Sequence, residues 1–125
     1  MTNPLQIERK LTDKKMSKMS IYNGVAYFAA TPDRPFDTAD TINSQAKQIF
    51  ARVEERLAMV GSTKADLLFV TIILSDKSYL TQFNELWEAW FEGVTPPSRA
   101  CLFAELTNPD MKIEFIMHAR AGDAA

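Results

Sequence analysis

Residues 67–74 read LLFVTIIL, a continuous apolar run with several β-branched side chains. Such a run reads as a β-strand buried on both faces, because a half-solvated strand alternates apolar and polar positions. The rest of the chain must therefore supply cover on two sides of a sheet.

Upstream of this strand, Ile42, Ala46, Ile49, Val53, Leu57 and Val60 recur at helical period and form one apolar stripe. Gly61 is placed to stop that helix, Asp37 or Thr38 to cap it, and Asp40 falls in its first turn. Further upstream, VAYFAA (25–30) reads as a strand, with less clear short strands over 16–22 and 5–9. Asn23-Gly24 is a hairpin turn signal, since both residues tolerate φ > 0. Downstream, Phe83, Leu86, Trp87, Trp90 and Phe91 form the apolar face of a second helix over 79–91. Strands over 98–106 and 111–119 follow, separated by the turn composition TNPD. The expected order is β-β-β-α-β-α-β-β, an α/β (α+β) chain with a six-stranded, mostly antiparallel sheet.

Two helices cover one face of a six-stranded sheet, and no chain is left for the other. Residues 98–106 nevertheless carry apolar side chains at both parities: Leu102, Ala104 and Leu106 on one side, Cys101 and Phe103 on the other. A bare sheet of that polarity is an aggregation liability, and the economical cover is another copy of the chain.

Composition bounds the function. The chain has 125 residues, one domain over 1–125, with 46% hydrophobic and 24% charged residues, which are globular values. A net charge of −2 and a pI near 5.4 give no global field for nucleic acid. Lys14-Lys15-Met16-Ser17-Lys18 reads as a solvated loop or edge strand rather than a phosphate track. The single Cys suits a reducing compartment, and one His with one Cys makes a structural zinc site unexpected. Without a signal-like N-terminus or an 18-residue apolar run, the chain is expected to be cytoplasmic and not membrane-bound. No phosphate-cradling glycine loop is present.

Arg99, in TPPSRACLFAEL (95–106), is the anomaly, because an unpaired buried guanidinium costs several kcal/mol. Arg99, Cys101 and Phe103 share one parity. In MKIEFIMHA, Lys112, Glu114, Ile116 and His118 share another, so Glu114 also interrupts an apolar strand. Arg99 and Glu114 neutralising each other across the sheet, or either lying at a strand end in solvent, is one reading. In the other, Arg99 offers its planar fork of donors to a ligand carboxylate, and Glu114 acts as a base or positions water. Pattern alone does not separate the two.

These residues also carry a resemblance. PPSRAC, KIE eleven residues after the cysteine, GSTKADLLFVTIILSD and FNELWEAWF together resemble the reactive intermediate deaminase family, the RidA/YjgF group that also bears the name endoribonuclease L-PSP. NGVAYFAATP and WEAWF are closest to its YoaB-like branch. The resemblance spans about Tyr22 to Ala119. It implies a chorismate-mutase-like fold forming a homotrimer, with sheets inside, helices outside and clefts between subunits. It implies hydrolysis of small enamines and imines such as 2-aminoacrylate to 2-keto acids and ammonia, with no metal or cofactor. By position, Arg99 matches the carboxylate-binding arginine, Cys101 the cysteine near the ligand, Glu114 the acid that positions water, and Asn84 the helix asparagine. Thr31 stands where the family has a glycine whose N–H faces the ligand, while Ser17 and Ala30 replace a tyrosine and a serine.

Three readings follow: an imine/enamine hydrolase, a non-catalytic binding protein for 2-keto acids or similar carboxylates, and an RNA-directed activity described for some relatives. Acidic pI and the lack of a basic stripe or His pair argue against the third. Among other residues, Cys101 is expected to line the cleft rather than attack, and His118 to pack or lie exposed while sharing Glu114's face. Trp87, Trp90, Met59, Met111 and Met117 are expected in the core.

Overall fold

The computed structural model describes residues 5–37 and 39–122. Its elements are β1 (Glu8–Thr12), β2 (Ser17–Tyr22), β3 (Val25–Ala30), α1 (Ile42–Ala58), β4 (Leu67–Leu74), α2 (Leu80–Trp90), β5 (Ser98–Phe103) and β6 (Ile113–Arg120). They form one six-stranded mixed sheet in the order β1-β2-β3-β6-β4-β5, with both helices on one face. The fold is α+β, in the element order read from the sequence.

Local chemistry explains the boundaries. Asn23 and Gly24 both adopt positive φ (51° and 78°), the left-handed geometry of a two-residue hairpin turn, and join β2 to β3. α1 is capped by neither Asp37 nor Asp40. The Thr41 hydroxyl, directly before the apolar stripe, accepts the Ser44 N–H at 3.0 Å. Asp37 instead accepts the Ala39 N–H in a local turn, Asp40 precedes the helix, and Thr38 lies outside the described residues. At the other end Gly61 (φ 69°) closes a Schellman arrangement. Its N–H donates to the Ala58 carbonyl, and the Ser62 N–H to that of Leu57.

Three strands differ from expectation by more than one residue at an end. β1 starts at Glu8, three residues later than expected. β5 ends at Phe103, leaving Ala104 and Leu106 beyond the strand, and β6 starts at Ile113 rather than 111. Turn-forming polar contacts around Asn108, which accepts from the Asp110 and Met111 N–H groups, occupy the residues between. A short 3₁₀ turn, Lys77–Tyr79, precedes α2.

Parity decides which side chains meet the helices. Met19, Ala26, Phe28, Val70, Ile72, Leu74, Ile113, Phe115 and Met117 are buried under α1 and α2. β4 is therefore buried on one face only within a single chain. Its other face holds Phe69, Thr71 and Ile73, continuous with exposed Tyr27, Ile116 and Leu102. At the start of β4 a bulge at Leu68 shifts the register against β6. The expectation of a strand buried on both faces is not met within one chain, because both helices cover the same side and Phe69 on the other stays exposed.

Gln45, on α1, is fully buried and ties the helix to the entry of β6. Its amide donates to the Asp110 carbonyl (2.9 Å) and accepts the Lys112 N–H (2.7 Å). Replacing it with Leu removes both bonds while keeping a comparable volume. Gln45→Leu is expected to cost about 1–3 kcal/mol of unfolding free energy in urea titrations, the range for a buried polar group losing its partners.

Candidate functional site

α2 brings the first group together. Asn84, Trp87, Glu88 and Phe91 recur at helical spacing and face the edge strand β5 across the loop that carries Pro96. With Arg99 they line an open cleft of about 340 Å³. The parallel β4–β5 register places Arg99 beside Val70 and Cys101 beside Ile72, on the helix side of the sheet.

Arg99 does not enter the core. It is exposed, and its guanidinium carbon lies 5.2 Å from the centroid of the Trp87 ring and 5.9 Å from that of Phe83, within cation–π reach. One terminal nitrogen, Nη2, donates to Asn84 Oδ1 at 2.6 Å. Among the described residues no carboxylate forms an ion pair with Arg99. The guanidinium is thus held by a neutral amide on an aromatic floor, with its charge uncompensated.

Glu114 lies elsewhere. It pairs in register with Ile73, on the face the helices leave bare. Arg99 and Glu114 therefore sit on opposite faces of the sheet, which removes the reading in which they neutralise each other within one chain. Thr31 belongs to the Glu114 side: Ala30 pairs with Phe115, Thr31 directly follows the one, and Glu114 directly precedes the other. Of the residues singled out from sequence, Asn84, Arg99 and Cys101 converge on one side and Thr31 and Glu114 on the other.

The ionisable groups carry distinct perturbations. Partial burial pushes the Glu114 carboxyl above its ordinary value. Burial also raises the Cys101 thiol, and the nearby Arg99 cation opposes this without overcoming it. The raised value disfavours the thiolate, the form a nucleophile needs. His118 packs edge-on against Tyr27 (5.1 Å) and Phe69 (6.5 Å) on the bare face.

Other placements refine the sequence reading. Trp87, Met111 and Met117 are buried and Met59 packs against the core, as expected. Trp90 stacks on Phe50 at 4.2 Å, half-buried. Trp87 and Phe91 have a second role as cleft walls, and Glu88 enters the site unanticipated. Its spacing of four from Asn84 was the signal available in sequence. Ser17 has its hydroxyl engaged with Thr12 Oγ1 at 2.7 Å, and Ala30 points into the core. Among the described residues no group of three or more His, Cys, Asp or Glu converges on a metal position. No helix among them is long and apolar enough to cross a membrane.

Fold and site together define an α+β chain with an open cleft, lined by Arg99 and Glu88 among others, at the edge of the sheet. The Endoribonuclease L-PSP family profile matches residues 14–121. A RutC family protein of Haemophilus influenzae is 34% identical over 116 residues, covering 92% of this chain and 98% of that protein. The RutC family protein YoaB of Escherichia coli K12 is 30% identical over 110 residues, covering 88% of this chain and 94% of YoaB. A solved structure of a YjgF-family member from Neisseria meningitidis superposes with TM-score 0.82 at 28% identity, covering 98% of this chain and 100% of that one. The chain belongs to the Endoribonuclease L-PSP family, the RidA/YjgF group, and is YoaB-like.

Two titrations check the electrostatics. Between the ordinary Glu value and the raised one, the folded chain holds a proton that the unfolded chain has lost. Stability contributed by this group is thus lost as pH rises from about 4.5 through the raised value. Denaturant titrations against pH are expected to show this fall in wild type and its absence in Glu114→Gln. Cys101 is expected to react with iodoacetamide more slowly than a free thiol at pH 7.5. Arg99→Ala, by removing the cation that favours thiolate, is expected to slow it further.

Proposed function

We propose that this protein is a cofactor-independent hydrolase of small 2-imino acids and their enamine tautomers, working at clefts between subunits of a homotrimer. The observation that carries the reading is Arg99: an exposed guanidinium oriented by Asn84 over Trp87, with no ion-pair partner among the carboxylates of the described residues. A planar fork of donors in that state suits a ligand carboxylate.

The chemistry asks little more of the protein than orientation and a placed water. A protonated imine is electrophilic at C2. Water adds there, the C=N π electrons pass to nitrogen, and loss of a proton leaves a neutral carbinolamine. Its nitrogen is then protonated, the C–N bond breaks, and the hydroxyl oxygen loses its proton to form the keto group, releasing ammonia. In this reading Arg99 holds the carboxylate and Cys101 lines the cleft. Glu114, with its raised carboxyl, accepts the proton from water and returns it to nitrogen. Thr31, one residue past the Ala30–Phe115 pair, is on the same face of the sheet.

The opposite-face placement of Arg99 and Glu114 supports the assembly. One chain does not bring the two together, and its bare apolar sheet face calls for a second copy. A trimer with sheets inside meets both requirements, with Arg99 from one subunit approaching Glu114 from another. The family membership supports the same reading, and the single cysteine is compatible with a cytoplasmic setting.

A second reading has its own observation. With Ser17 turned to Thr12 and Ala30 in the core, neither position offers the site a hydroxyl. A carboxylate-binding regulator without turnover needs Arg99 but not those hydroxyls.

The deciding experiment generates 2-aminoacrylate and 2-aminocrotonate with a pyridoxal-phosphate dehydratase and follows keto-acid release against semicarbazide trapping. Wild type is expected to accelerate release. Arg99→Ala is expected to lose at least about a hundredfold, the scale on which orientation of a reactant acts, while sedimenting as the same trimer. Tight 2-ketobutyrate binding without acceleration would instead select the regulator, and a monomer in sedimentation would remove the intersubunit site.

A further inference from the structure

The cleft beside Arg99 contains a second charged group with no place in the proposed hydrolysis. Glu88 lies one helical turn after Asn84 and lines the same 340 Å³ space. It is exposed, and among the described residues it has no ion-pair partner, Arg99 included. α2 has no basic residue. Its charged side chains are Glu85 and Glu88, and Glu92 lies two residues past its end. Among the residues lining the cleft Arg99 is the cation and Glu88 the anion, and the Lys64 ammonium lies 5.8 Å from the centroid of the Phe91 ring. The cleft floor is apolar, with Trp87 and Phe91 almost wholly buried and Pro96 opposite.

We propose that this cleft selects monocarboxylic 2-imino and 2-keto acids with an apolar side chain, and that Glu88 is the specificity residue that rejects a second carboxylate. The inference rests on Arg99 binding the ligand's carboxylate, as proposed above. One anionic group satisfies the single cation. A second would lie near Glu88, where like charges a few ångströms apart in a partly desolvated cleft repel. An aliphatic or aromatic side chain instead gains contact with Trp87, Phe91 and Pro96, worth roughly fourfold in affinity per buried methylene. A three-carbon enamine is small beside 340 Å³ and would leave much of that space to water.

Trp87 forms part of the cleft, so intrinsic tryptophan fluorescence reports occupancy without requiring turnover. Wild type, Glu88→Gln, Glu88→Lys and Arg99→Ala would be titrated with pyruvate, 4-methyl-2-oxopentanoate and 2-oxoglutarate. In wild type, 4-methyl-2-oxopentanoate is expected to bind about tenfold or more tightly than either of the others. Glu88→Gln is expected to narrow its preference over 2-oxoglutarate at least about threefold, and Glu88→Lys further. Because Glu88 is exposed, neither substitution threatens the fold, and circular dichroism checks this.

A preference unchanged by both Glu88 substitutions, with binding still lost in Arg99→Ala, would overturn the role of Glu88 and leave the arginine reading standing. Equal affinity for pyruvate and 4-methyl-2-oxopentanoate would overturn the apolar side-chain preference. Binding that does not depend on Arg99 would overturn the inference together with the reading beneath it. Semicarbazide competition with imines made by amino-acid oxidases from leucine and from glutamate provides the catalytic counterpart. Selective binding without hydrolysis of either imine would sustain the selectivity and sink the proposed reaction.

Discussion

The sheet has two apolar faces and one layer of helices. That mismatch is the constraint on which the remaining structure depends. On the covered side, α1 and α2 bury Phe28, Val70, Ile72, Phe115 and Met117, the hydrophobic burial that drives folding. On the other side, Tyr27, Phe69, Leu102 and Ile116 remain exposed in the single chain. A protein that presents such a surface without a partner risks edge and face association of the wrong kind. The strands that make the core are therefore the same ones that carry the uncovered apolar face.

The mismatch also shapes the chemistry. β5 runs parallel to β4 while β6 runs antiparallel to it, and the two registers determine which way each polar side chain points. Arg99 shares Val70's side and reaches the aromatic face of α2, whereas Glu114 shares Ile73's side and meets no helix. A strand allows a polar residue in an apolar run at modest cost only near an edge or an interface. Arg99 uses the first solution, on the edge strand β5. Glu114, on an interior strand, lies on the face that another subunit is proposed to cover, and its raised carboxyl already registers partial burial in one chain.

Much of this was legible in residues. The stripe from Ile42 to Val60, the Asn23-Gly24 turn and the run at 67–74 each encode their conformation locally, because helix period, left-handed tolerance and β-branching act over a few residues. Capping was less legible: Asp37, Asp40 and Thr41 all have suitable oxygens, and Thr41 was missed. Its advantage is position, one residue before the stripe begins, where its hydroxyl meets the Ser44 N–H. Glu88 was missed for a different reason. An exposed glutamate on a helix looks like any solvated charge until the edge strand is docked opposite it. Gln45 was likewise silent, since its two backbone partners lie 65 and 67 residues away.

What the sequence determined by itself was the order of elements, the helix-facing stripes, the anomaly of Arg99 and Glu114 in apolar strands, and the shortage of cover for one sheet face. These follow from periodicity and counting, which need no third dimension. Tertiary structure alone decided that β6 inserts between β3 and β4, that Arg99 leans on Trp87 and Asn84, and that Glu114 points the other way. Strand parity is a local property, but which parity faces the helices depends on pairings between residues far apart in sequence. Only the folded sheet reveals that the two charged residues belong to opposite sides.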